Sequence, residues 1–94
     1  MSLPSLRQRI DQLDARILRL LNQRAALAMR VGRLKKRQGR HLYDPEREQA
    51  VLRQIAERNH GPLSRRAVRA IYREILRQVR QLEQSASLLR RGRG

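Results

Sequence analysis

An apolar seam along the first third of the chain constrains the fold more than any other feature of the sequence. Its members recur at alternating steps of four and three residues: Leu6, Ile10, Leu13, Ile17, Leu20, Leu27, Val31 and Leu34. This spacing is typical of one long helix whose seam packs against another helix. Arg24 occupies the position in the series where a leucine would be expected. Because a guanidinium keeps its charge and is rarely buried without an anion, Arg24 either meets water or faces a carboxylate.

The seam predicts a first helix from about Pro4-Ser5 to about Gln38, where Gly39 ends it. A helix of roughly 34 residues is about 50 Å long, whereas a compact domain of this size is only about 25–30 Å across. The helix must therefore extend beyond the compact body of its own chain, and the apolar seam on the extended part needs a partner. Since a second copy is the simplest partner, we expect an all-α chain of three helices that forms an intertwined homodimer.

Local signals predict two further helices. Asp44 followed by Pro45 is a strong start signal for a helix over 45–58, which the residues 59–62 break. Ser64 is placed to cap a third helix over 65–89. The apolar positions of the third helix form one stripe: Val68, Ile71, Tyr72, Ile75, Leu76, Val79 and Leu82. We expect one domain over 1–94, with a frayed basic tail at 90–94.

Composition excludes several classes of protein. The chain has no cysteine and two separated histidines, so we expect no metal site. No apolar run reaches the roughly 20 residues of a membrane span, and the N-terminus lacks a signal-peptide core, so a cytoplasmic location is expected. The net charge of +15 makes nucleic acid a candidate partner. However, the basic residues are mostly scattered and aromatic residues are nearly absent, so we regard nucleic-acid binding as unlikely.

Polar residues on the apolar faces of the helices suggest a site. Arg24 and Lys35 flank Ala28 and Val31 at helical spacing, so these four residues should share a surface. Arg7 lies 17 residues before Arg24, or roughly 25 Å along the helix. In a crossed dimer, Arg7 of one copy could approach Arg24 of the other.

Carboxylates on the other two helices point toward the same interior. Glu48, beside Arg47, precedes the apolar Val51 and Leu52, and Glu83 continues the stripe of the third helix. Several cations and two carboxylates suit a small anionic ligand better than a metal. Each residue alone also has an ordinary explanation. Arg24 could snorkel, Glu48 could be a solvated surface charge, and Glu83 could pair with Arg77 or Arg80.

In combination, six segments resemble the all-helical chorismate mutase family, a small bacterial domain often fused to prephenate dehydratase. They are L-R-Q-R-I-D-Q-L-D at 6–14, I-L-x-L-L-N-Q-R at 17–24, V-G-R-L-K at 31–35, Y-D-P-E-R-E at 43–48, N-x-G-P-L-S at 59–64 and I-Y-R-E-I at 71–75. The resemblance covers residues 6–84 in order. It implies a dimer whose long helices are shared between two active sites, and a cofactor-free Claisen rearrangement of chorismate to prephenate.

The resemblance also implies roles for individual residues. Arg24 would grip one substrate carboxylate, and Arg7 from the partner chain would grip the other. Lys35 would donate to the ether oxygen as the C–O bond breaks. Arg47 and Glu48 would meet the ring, with Glu48 accepting from its hydroxyl. Asp44 would cap the second helix and orient Lys35 or Arg47.

Two positions depart from the family pattern. Val79 stands where many members carry a serine that helps hold a carboxylate, so binding would weaken modestly. Glu83 stands where many carry glutamine. Glutamine donates a hydrogen bond at any pH, whereas a glutamate side chain donates only when protonated. Burial would raise the pKa of Glu83, and nearby Lys35 would lower it. Because only the protonated side chain can donate, we expect activity to rise as pH falls.

Three alternatives remain open on the sequence alone. Some members of the same fold eliminate pyruvate from isochorismate, and the basic loop at 36–43 would gate such a pocket. A basic helical dimer that binds nucleic acid would need no pocket, and its binding would fall steeply with salt. An inactive or regulatory relative is the third alternative, because of Val79, Glu83 and the high charge.

Overall fold

The computed structural model describes the backbone of residues 1–93 and the side chains of residues 1–86. It contains three helices, α1 (Leu3–Arg37), α2 (Pro45–Arg58) and α3 (Arg65–Arg93). The expected all-α class with three helices is confirmed, and residues 1–93 include no strand. The backbone of α3 continues four residues past the predicted end at 89. The frayed tail expected at 90–94 reaches Gly94, which lies outside the described residues, and stays a prediction.

The helix ends follow from local side-chain chemistry. Asp44 accepts a hydrogen bond from the backbone N–H of Arg47 at 3.0 Å and so caps α2, and Ser64 accepts one from Ala67 at 3.0 Å and caps α3. Gly39 adopts a φ of 68° just after α1, a left-handed conformation that favours glycine. These three predictions are confirmed.

The start of α1 was predicted slightly too late. The helix begins at Leu3, and the cap is Ser2, whose hydroxyl accepts from the backbone N–H of Ser5 at 3.2 Å. Pro4 therefore lies inside the first turn, where the backbone N–H that it lacks would have no partner in the helix.

The length of α1 sets the shape of the molecule. Its 35 residues extend about 52 Å, and the whole chain measures 57 × 29 × 15 Å. The radius of gyration of 16.8 Å exceeds the roughly 12 Å of a compact domain of this length. The prediction that the first helix extends beyond the body of its own chain is confirmed.

The small core lies where α3 packs against the other two helices. Helix α3 contacts both α2 and α1, and the buried apolar side chains among residues 1–86 are Val51, Leu52 and Ala56 of α2. On α1, the residues that are buried or half-buried begin at Leu21. The face of α1 that turns toward α3 includes the buried Gly32, and it differs from the apolar seam.

The apolar seam of α1 is not covered by the part of the chain whose side chains the structure describes. All residues from 1 to 20 are exposed, and seam members such as Ile10, Leu13 and Leu27 expose 55, 51 and 58% of their surface. Residues of this kind are usually buried, so a continuous exposed stripe indicates a surface for association. Within the described residues, none of the helices is both long and apolar enough to span a membrane.

Candidate active site

One cleft between the three helices collects nearly all of the predicted site residues. It has a volume of about 280 Å³, which suits a small ligand. Of the eight predicted residues, seven line it: Arg24, Lys35, Asp44, Arg47, Glu48, Val79 and Glu83. The eighth, Arg7, lies exposed on α1, about 25 Å along the helix from Arg24. The cleft therefore contains what one chain was expected to contribute.

Helix α1 supplies one wall of the cleft. Arg24, Ala28, Val31 and Lys35 all line it, which confirms that the four residues share a surface. Arg24 is half-buried and Lys35 has a side-chain exposure of only 16%. Arg24, despite its position in the seam, therefore turns a cation toward the cleft.

Asp44 connects the wall of α1 to the start of α2. One carboxylate oxygen caps α2 through the N–H of Arg47, and the other lies 3.7 Å from the ammonium of Lys35. The same side chain thus fixes the direction of α2 and holds the Lys35 ammonium at the cleft. Asp44 contacts Arg47 through the backbone N–H of that residue, and Arg47 itself is exposed.

Glu48 faces the cleft from α2 and is paired. Its two carboxylate oxygens each accept a hydrogen bond from Nη1 of Arg80 at 2.8 Å. Both side chains are partly buried, with exposures of 23% for Glu48 and 29% for Arg80. The interpretation of Glu48 as a solvated surface charge is therefore wrong.

Glu83 lies at the inner end of the cleft, where α3 approaches α1. Its carboxylate Oε2 is 3.3 Å from the place that a Cβ would occupy at Gly32, so a glycine allows this close approach. Burial raises the pKa of Glu83, and the nearby Glu48 carboxylate adds to the rise, while Lys35 and Arg24 oppose it; the net shift is upward. Glu83 therefore holds a proton at higher pH than an ordinary glutamate.

The alternative in which Glu83 pairs with Arg77 or Arg80 is wrong. Arg80 pairs with Glu48, and Arg77 pairs with Glu74 on the exposed side of α3. The charges that act on Glu83 come from α1 and α2, across the cleft.

Sequence reasoning did not assign Arg80 to the site, although it lines the cleft. A signal was present, because Arg80 follows Leu76 by four residues and precedes Glu83 by three, on the same face of α3. With Arg80 included, the cleft holds four cations and three carboxylates. Within residues 1–86, no group of three histidine or carboxylate side chains is arranged to hold a metal ion.

A family model described as chorismate mutase type II matches residues 6–84 of the chain. The bifunctional chorismate mutase/prephenate dehydratase of Neisseria gonorrhoeae is 43% identical over 82 residues, which cover 87% of this chain and 22% of that protein. The protein of the same description from Stutzerimonas stutzeri is 44% identical over 87 residues, covering 87% of this chain and 24% of that protein. The chain thus spans about a quarter of the length of these relatives.

A solved structure supports the same relationship. The Form II structure of chorismate mutase from Thermus thermophilus superposes with a TM-score of 0.85 at 34% identity, covering 87% of this chain and 93% of that chain. The similarity therefore extends over nearly the whole of the matched chain.

Proposed function

The chain belongs to the chorismate mutase type II family, and we propose that it rearranges chorismate to prephenate. The observation that carries this proposal is the cleft in which seven expected residues meet. The rearrangement is intramolecular: the ether C–O bond breaks while a C–C bond forms, and no atom is gained or lost. The protein must therefore hold one conformer of the substrate and stabilise the charge that develops as the ether bond lengthens.

Substrate orientation is assigned to the guanidinium groups. Chorismate is a dianion, and arginine matches a carboxylate with two parallel hydrogen bonds. Arg24, half-buried in the wall of α1, would bind one carboxylate. The second carboxylate requires another arginine, which we assign to Arg7 of a second copy. Val79 adds an apolar wall and no donor, so we expect a modestly weaker grip on a carboxylate than a serine would give.

Stabilisation of the ether oxygen is assigned to Lys35 and Glu83. Lys35 is held by Asp44 at the cleft, where its ammonium can donate to the oxygen as negative charge builds. Glu83 can donate only in its protonated form, and the raised pKa favours that form. A bound dianion adds negative charge near Glu83 and raises its pKa further, so substrate binding and protonation of Glu83 support each other.

Recognition of the ring is assigned to α2. Glu48 faces the cleft as a paired carboxylate and can accept a hydrogen bond from the ring hydroxyl. Arg47 follows the capped start of α2, at the mouth of the cleft, and adds positive charge there. We assign Asp44 a supporting role, since its contacts are with Lys35 and the backbone of Arg47.

The homodimer is part of this proposal. An apolar groove with a volume of about 510 Å³ lies between α1 and α3, and the residues that line it, which include Leu18, Leu21, Ile71 and Leu82, do not belong to the seam. A second copy of α1 has the apolar stripe that would fill such a groove. It would also carry Arg7 toward the other cleft, whereas Arg7 cannot reach the cleft of its own chain.

The mutase is favoured over the alternatives by the names of the relatives and by the cleft. The matched proteins are described as chorismate mutase or as bifunctional chorismate mutase/prephenate dehydratase, and a nucleic-acid-binding dimer would need no cleft of paired charges. The excess positive charge has a simple role in this proposal, because it attracts a dianionic substrate. The expected cytoplasmic location stays a prediction.

The decisive experiment follows the loss of chorismate absorbance with purified protein. Arg24→Ala should reduce turnover by at least about a hundredfold, since it removes a charged clamp on the substrate. Arg30→Ala, a change of an exposed arginine on the same helix, is the control and should leave turnover unchanged. If the wild-type protein fails to convert chorismate but releases pyruvate from isochorismate, the lyase replaces the mutase. Full activity in Arg24→Ala would mean that the reaction does not take place in this cleft.

A further inference from the structure

Arg80 makes a charged contact that joins α3 to α2 across the cleft. Its Nη1 donates to both oxygens of Glu48 at 2.8 Å. These residues lie 32 positions apart in the sequence, so the pair is tertiary. One nitrogen that contacts both oxygens restrains the position of the carboxylate, and so limits the rotamers that the Glu48 side chain can adopt.

The same guanidinium also contacts the linker between α1 and α2. Its central carbon lies 4.7 Å from the centroid of the Tyr43 ring, within the range of a cation–π interaction. Tyr43 immediately precedes Asp44, which caps α2 and holds Lys35. Arg80 therefore contacts the carboxylate of Glu48 and also the linker residue Tyr43, which adjoins the second carboxylate, Asp44.

The pair differs in its environment from the other arginine–glutamate pair of α3. Arg77 and Glu74 are about half exposed, at 49 and 55%, and lie within one turn of the same helix. Exposed pairs of that kind contribute little, because water competes and long side chains lose rotamer freedom. Glu48 and Arg80 are at most 29% exposed, so each depends more strongly on its partner.

We propose that Arg80 is a positioning residue that holds the Glu48 carboxylate in the orientation required to accept a hydrogen bond from the substrate. The inference rests on the proposed function and deepens it by adding a residue that acts through Glu48. A glutamate without this contact can rotate among several rotamers, and a misplacement of about 1 Å at a reacting group can cost roughly a hundredfold in rate. Arg80 removes that freedom before the substrate arrives.

The test is a double-mutant cycle between Arg80 and Glu48, read as turnover of chorismate. Arg80→Met keeps an apolar stem about as long as the aliphatic part of arginine and removes the charged guanidinium. We expect it to lower kcat by about ten- to a hundredfold, with a smaller change in KM. In a Glu48→Gln background the same change should cost less than about threefold, because the carboxylate that Arg80 orients is gone. Arg77→Met is the matched control and should leave kcat unchanged.

Different outcomes separate the two proposals. If the wild-type protein turns over chorismate and Arg80→Met lowers kcat equally in both backgrounds, Arg80 supports the fold only and the inference is overturned. It is also overturned if Arg80→Met behaves like Arg77→Met. If the wild-type protein shows no turnover, the proposed function fails, and the inference fails with it.

A second pair of variants covers the case in which Arg80→Met does not fold. Arg80→Lys retains the charge but replaces the planar guanidinium, which lies over the Tyr43 ring, with a compact and more strongly hydrated ammonium, so kcat should recover only in part. Tyr43→Leu removes the aromatic face beneath the guanidinium and should lower kcat by a fewfold while α2 remains capped by Asp44. Full activity in both variants would overturn the inference.

Discussion

The carboxylate of Glu83 lies 3.3 Å from the point where a Cβ would be placed on Gly32. Because glycine has no Cβ, there is space beside α1 at this position, and the carboxylate of Glu83 on α3 lies next to it. The residue that weakens α1 locally therefore leaves room for a carboxylate of α3 beside the helix.

Gly32→Ala should separate stability from activity. Alanine favours the helix by about 0.5–1 kcal/mol, and the flexible end of Glu83 can yield a few tenths of an ångström. We therefore expect the melting temperature to hold or rise while kcat falls, as Glu83 is displaced. The control is Ala26→Gly on the exposed face of α1, which should lower stability and leave kcat unchanged. Unaltered kcat in Gly32→Ala would mean that the position of Glu83 does not limit the reaction.

The activity should depend on the protonation of Glu83. Because burial raises its pKa above the usual 4.5, the protonated donor becomes more abundant as pH falls, and kcat at about pH 5.5 should exceed kcat at about pH 7.5. Glu83→Gln supplies a donor at every pH and should flatten this profile. A wild-type profile that is already flat between about pH 5 and 8 would contradict the role of Glu83.

The same raised pKa has a consequence for stability. The folded protein favours the protonated form of Glu83 more than the unfolded chain does. Protonation of Glu83 therefore adds to the free energy of unfolding, and this contribution is fully present below the unfolded pKa. It is lost as pH rises through the folded pKa. The free energies of unfolding of wild type and Glu83→Gln, measured with denaturant, should therefore diverge between the unfolded and the folded pKa and stay apart at higher pH, with the glutamine variant the more stable. Parallel curves at all pH values would mean that the carboxyl is not perturbed.

Asp44 has two roles that different substitutions should separate. Serine can still accept from the N–H of Arg47, so Asp44→Ser should keep the cap while Lys35 loses its carboxylate partner. Asp44→Ala should lose both and lower the free energy of unfolding by about 1 kcal/mol. We expect kcat to fall in both variants but stability only in the second. Full turnover in Asp44→Ser would leave Asp44 as a cap alone.

The shared site can be tested by mixing two inactive proteins. In a heterodimer of Arg7→Ala and Arg24→Ala chains, one cleft has both defects and the other has neither. After random exchange of subunits, about a quarter of the wild-type activity should return. Mixing Arg24→Ala with Lys35→Ala is the control, because both residues belong to the cleft of one chain and no intact cleft can form. No recovery in the first mixture, with exchange verified by native mass spectrometry, would exclude a shared site.

Much of the fold was predictable because local chemistry determines it. Asp44, Ser64 and Gly39 act within a few residues of themselves, so the sequence alone locates the helix ends that they control. Helical spacing likewise predicted that Arg24 and Lys35 share one surface. The extra residues at the start of α1 were missed because Ser2 and Ser5 are both plausible caps, and only the hydrogen bond distinguishes them.

The partner of Glu48 was not predictable for a different reason. Arg77 and Arg80 both lie within reach of a glutamate on α3, and helical spacing gives each a local partner. Whether an arginine pairs along its helix or across to another depends on how α3 and α2 are placed. That placement follows from packing around Val51 and Leu52, which the sequence indicates only as an apolar face.

Because the first half of α1 is uncovered in one chain, its stability in the proposed dimer depends on protein concentration. Residues 1–20 are exposed throughout, so within one chain this part of the helix lacks the tertiary packing from which most helical stability in proteins comes. In the proposed dimer, folding of this segment and association of two chains become one equilibrium. Dilution would then act as a denaturant: it would fray the helix that carries Arg7 and empty both clefts of their second arginine, with no change in temperature or solvent.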